Sequence, residues 1–139
     1  MNKYAKLHLE TVEIPPNYME IMERESVWDY DMFDLFFLSI CEITKGICYE
    51  CALVPFDDES EDMEELNGLI EGKGFEVNGY GWEDYLCSYI EKQNPQLYEK
   101  IDVDSESETC GIYVMDSIGD FRLLLKTVSE AIRDLLREV

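Results

Sequence analysis

Phe121, Leu124, Leu125, Val128, Ala131, Ile132, Leu135 and Leu136 recur at three- and four-residue intervals, which sets all of them on one face of a C-terminal helix. A face this apolar must be buried, so the helix has to lie against another layer. Its other side sets Arg122, Lys126, Arg133 and Arg137 against Glu130, Asp134 and Glu138, nearly balanced in charge, and is open to solvent or to a dimer seam. Trp82, Tyr85, Leu86, Tyr89 and Ile90 draw a second helical stripe that stops before Pro95. Met63, Leu66, Leu69 and Ile70 draw a third, preceded by Ser60 as a capping residue and closed by Gly72 and Gly74.

Elsewhere the period changes. Leu35 to Ile43 and Gly46 to Phe56 are dominated by β-branched and aromatic residues, and Thr44-Lys45-Gly46 between them reads as a hairpin turn. These two strands are expected at the centre of a sheet. Tyr98 to Asp104 and Thr109 to Asp116 read as two more strands, and Tyr4 to Ile14, which ends at Pro15-Pro16, as an edge strand. Asn17 to Asp34 mixes apolar residues with acids and reads either as a short helix or as an exposed loop. Strands and helices without regular βαβ alternation point to the α+β class. The expectation is a single domain over residues 1–139, an antiparallel β-sheet packed against two or three α-helices; 46% hydrophobic content is enough for a real core at this length.

The charge is extreme. Acidic side chains number 32 against 11 basic ones, a formal net charge of -21, so the surface repels nucleic acid and anionic lipid and attracts a basic partner. Part of the acid has a structural reason, because carboxylates at Asp57-Asp58-Glu59-Ser60-Glu61-Asp62 are favourable beside the first turn of the following helix. The lysines near the N-terminus are followed by alternating polar and apolar residues, unlike a signal peptide. No run approaches the roughly 18 apolar residues of a membrane span. A cytoplasmic protein is the expectation.

Motifs for chemistry fail one by one. Gly79-Tyr80-Gly81 precedes a helix as in phosphate-binding turns, but a dinucleotide fingerprint needs a third glycine where Asp84 stands, and Glu83 and Asp84 would repel the phosphate. The glycines are expected to shape a tight turn that drops Trp82 onto the core. Asp102 to Glu108 begins like a calcium loop, yet the sixth position is Ser107 and the twelfth Tyr113, where glycine and glutamate are required. It reads as a strand with solvent-facing acids, then a turn. Cys48-Tyr49-Glu50-Cys51 has zinc-like spacing but no second pair, and the only histidine, His8, is distant. The five cysteines are expected as free thiols, Cys48 and Cys51 as buried apolar side chains, and no catalytic, metal or cofactor site is assigned.

Gly79-Tyr80-Gly81-Trp82 leading into an amphipathic helix, then Pro95-Gln96-Leu97, then Ile101-Asp102-Val103-Asp104-Ser105-Glu106, then a strand and a Leu-rich helix, resembles the bacterial immunity proteins of family fifty-one. These are encoded beside polymorphic toxins. Residues 79–139 carry the resemblance, which departs from the family at Ser107-Glu108-Thr109-Cys110-Gly111. It implies a small cytoplasmic protein, not an enzyme, that neutralises one cognate toxin by binding it. Toxins that attack nucleic acid present a basic cleft, and a carboxylate-rich protein can occupy it as a phosphate backbone would. The toxin-binding residues expected on that reading are Asp57, Asp58, Glu59, Glu61 and Asp62, with Trp28 and Tyr30 as aromatic anchors. Packing within the core or a loop is the competing role for Trp28. An acidic adaptor or nucleic-acid mimic directed at another basic host protein is the alternative function, and a small carboxylate enzyme is a third.

Overall fold

A computed structural model describes residues 14–25, 27–32, 36–56 and 61–137. Its elements in chain order are α1 (Tyr18–Glu25), β1 (Val27–Met32), β2 (Phe36–Ile43), β3 (Gly46–Leu53), α2 (Glu61–Gly72), α3 (Gly79–Gln93), the single turn α4 (Pro95–Tyr98), β4 (Asp102–Val103), β5 (Cys110–Met115) and α5 (Ile118–Leu136). The strands form one sheet in the order β1-β2-β3-β5-β4, each pair antiparallel. The class is α+β, as the sequence implies. β2 and β3 do stand in its interior, joined at Thr44-Lys45 with Ile43 opposite Gly46.

Alternation along the strands divides the sheet into two unlike faces. Phe36, Leu38 and Ile40 of β2, Tyr49, Cys51 and Leu53 of β3, and Cys110, Ile112 and Val114 of β5 are all buried on one side. Against that side lies α5, touching β3 and β5, with α3 packed on β5 and α5, and α2 packed on α5. Every residue of the α5 stripe is buried, including Phe121, Leu125 and Ile132 at 0% exposure. Each such side chain contributes roughly 1.5–3 kcal/mol by burial.

The glycine pair turns out to be a packing device. Asn78 caps α3, its side-chain oxygen accepting from the Gly81 amide at 2.8 Å, and the Gly79 amide donates to the Ser107 carbonyl at 2.9 Å. A Cβ on Gly79 would run into the carbonyls of Glu106 and Thr109, and one on Gly81 into that of Glu76. The start of α3 is thereby seated directly on the turn between β4 and β5. Trp82 follows, fully buried.

Two expectations need correction. Tyr98 to Asp104 is not a strand: Asn94 caps a helical turn, its side chain accepting from the Leu97 amide at 3.1 Å with Pro95 at the first helical position, and only Asp102–Val103 pairs with β5. Val103 is exposed there and does not alternate inward. Asn17 to Asp34 is neither a helix alone nor a loop, because the helix α1 ends at Glu25 and Val27–Met32 pairs with β2 from Cys41 to Phe36. Cross-strand pairing outweighs the acids that made this stretch look loop-like. Of the expected edge strand from Tyr4, only Ile14 lies among the described residues, and it is buried. Besides α2, α3 and α5, the described residues add α1 and α4 to the helices expected.

Candidate functional site

The second face of the sheet carries no described helix. Phe37, Ser39 and Cys41 of β2, Cys48, Glu50 and Ala52 of β3, and Tyr113 and Met115 of β5 point there, and all are half-buried or exposed. The β2–β3 hairpin rises at one border and the Glu99-to-Asp104 segment at the other, enclosing an open groove of about 880 Å³. Its acids are Glu50, Glu99, Asp102, Asp104 and Asp116, and its bases Lys45 and Lys100. Lys100 is drawn to Asp120, 3.6 Å away. The excess charge is therefore negative.

Asp116 holds the hairpin border in place. It adopts a left-handed backbone (φ 59°), its carboxylate accepts from the Ile47 amide at 2.9 Å, and its own amide donates to the Ile47 carbonyl at 2.8 Å. Gly46 (φ 141°) lies against that carboxylate, where a side chain would collide with it.

Glu50 occupies the floor. It stands in the central strand, half-buried, and its carboxylate lies over Gly111 of β5, where an added Cβ would come within 2.6 Å of both Oε1 of Glu50 and the Asp104 carbonyl. Gly111 makes the room the carboxylate uses. Loss of water around it raises the Glu50 pKa above the ordinary glutamate value, and the negative charge of Asp104 raises it further. Among the described residues no cation forms an ion pair with it.

The thiols are not built for chemistry. Strand alternation turns Cys51 into the core and Cys48 to the open face, so the C-x-x-C spacing cannot chelate a metal. Burial, then Glu50 and Cys41, pushes the Cys48 thiol up to about 11. Among the described residues no group of histidine, cysteine and carboxylates is arranged to hold a metal ion.

The residues expected from sequence to bind a toxin fall partly outside the described residues. Asp57, Asp58 and Glu59 lie outside the described residues, and Glu61 and Asp62 open α2. Trp28 and Tyr30 belong to β1, where the backbone pairs them with Ile40 and Leu38 of β2. Glu50, Asp104, Gly111 and Tyr113 were missed. The available signal was a lone glutamate inside an otherwise apolar central strand, with a glycine in the middle of another.

Compared with known families, residues 49–138 match the one described as Immunity protein 51. That span is more than half of the chain, runs from β3 through α5, and reaches well upstream of Gly79. No curated protein and no solved structure matches.

Proposed function

This chain belongs to the immunity protein 51 family, and from that premise we propose that it binds and neutralises a single cognate bacterial toxin in the cytoplasm, as a stoichiometric inhibitor and not as an enzyme. The family match carries the reading. The net charge of -21 supplies its physics, since a toxin domain with a basic, nucleic-acid-binding cleft is attracted from a distance and held by carboxylates in place of phosphates. The acidic run Asp57, Asp58, Glu59, Glu61 and Asp62 acts in the approach, and Trp28 and Tyr30 are the aromatic anchors of this proposal.

Among the described residues no helix is long and apolar enough to cross a membrane. The test is expression of the toxin domain encoded by the gene immediately upstream, with and without this protein. Growth restored only by this chain, together with a one-to-one complex of the purified pair, supports the proposal. Equal binding to unrelated basic proteins would favour an acidic adaptor or nucleic-acid mimic.

A further inference from the structure

We propose that the toxin is gripped on the face of the sheet that carries no described helix, where one of its lysine or arginine side chains enters the groove beside β4 and pairs with the carboxylate of Glu50. This rests on the toxin-binding function proposed above and adds its location. An ionised carboxylate that pairs with no cation among the described residues is expensive to half-bury, and the fold makes space for it by placing Gly111 in the neighbouring strand. A cation brought by a partner removes that cost on binding. The pair then contributes more than an exposed salt bridge, because docking excludes water from both groups.

The border of the groove suits such a contact. Ile43, 44% exposed, lines the groove together with Tyr113 and Met115, and Tyr113 stands directly opposite Glu50 in the β3–β5 ladder, giving apolar surface that can seal a charged pair from solvent. Asp104 adds a second negative charge beside Glu50. A negatively charged, apolar-bordered concavity fits a basic protein surface and rejects nucleic acid and anionic lipid.

The two acidic regions have different tasks. Exposed acids outside the groove, screened by salt, set the rate of encounter; Glu50, half-buried, sets how long the complex lasts. The experiment uses the full-length protein and the immobilised toxin domain encoded by the upstream gene, with Glu50→Gln, the neutral isostere, and Glu71→Gln, which removes the same charge from an exposed position of α2. The proposal predicts dissociation roughly tenfold faster or more for Glu50→Gln, an association rate close to wild type, and no change for Glu71→Gln. The thermal midpoint of Glu50→Gln should equal or exceed that of wild type, which separates lost contact from lost fold. Wild-type binding that Glu50→Gln leaves intact would overturn the groove as the docking site and spare the immunity function. Failure of the wild type itself to bind would overturn both.

Discussion

The indole N–H of Trp82 donates to the side-chain oxygen of Asn67 at 2.7 Å, and the amide group of Asn67 donates in turn to the Pro55 carbonyl at 2.8 Å. This relay joins α3, α2 and the segment leaving β3, and it satisfies the one polar atom of a fully buried tryptophan. Asn67→Leu strands both ends of the relay. The expected loss is about 1–3 kcal/mol in denaturant unfolding followed by far-UV circular dichroism.

Gly79 and Gly68 should respond to alanine with opposite signs. A methyl group on Gly79 meets the backbone carbonyls of Glu106 and Thr109, which cannot step aside cheaply, so Gly79→Ala should destabilise by about 1–3 kcal/mol. Around Gly68, in the interior of α2, nothing lies within 4 Å. Gly68→Ala should therefore stabilise by about 0.5–1 kcal/mol, since alanine is the better helix former. Thermal melts of the two variants decide the point.

The raised pKa of Glu50 gives stability a definite pH slope. As pH rises from about 4.3, the ordinary glutamate value, the unfolded chain releases this proton before the native state does. The native state then holds more protons, so this group's contribution to stability falls until pH has passed the elevated native value. Glu50→Gln has no such proton. Its melting temperature should match wild type at acid pH and exceed it at neutral pH, and an equal difference at every pH would contradict the assignment.

Burial is the first cause that keeps the interior thiols protonated. Cys87 and Cys110 are each pushed up to about 12, Cys87 with help from Glu83 and Asp84, and Cys51 is also raised. At pH 8 these groups, with Cys48, should react with iodoacetamide far more slowly in the native protein than in denaturant. Mass spectrometry after a short pulse gives the site-by-site rates.

Neutralising Asp57, Asp58, Glu59, Glu61 and Asp62 together as Asn or Gln should slow association with the toxin about tenfold at low salt. At high salt the difference should largely vanish. Unchanged kinetics at low salt would remove this run from the approach path.

The helices were legible because their stripes are long and two of them have chemical stops: Pro95 after α3, and Gly72 and Gly74 at the end of α2. The central hairpin was legible for a similar reason, two apolar runs around a short polar turn. β1 was not, since its identity as a strand comes from pairing with β2, a contact between residues that no local pattern announces. Tyr98 was misread because the Asn94-Pro95 helix start was passed over in favour of the β-like residues beyond it. The groove was the least legible part. Glu50 and Gly111 lie 61 positions apart and become neighbours only through the β3–β5 ladder, so the space that one makes for the other exists only in the folded sheet.

The most direct test of the central claim is to recover the tagged protein from its native cells at low salt, identify what accompanies it, and repeat at high salt. The account predicts one stoichiometric partner carrying a toxin domain, held less firmly at high salt. Several unrelated basic proteins, or no partner at all, would contradict it.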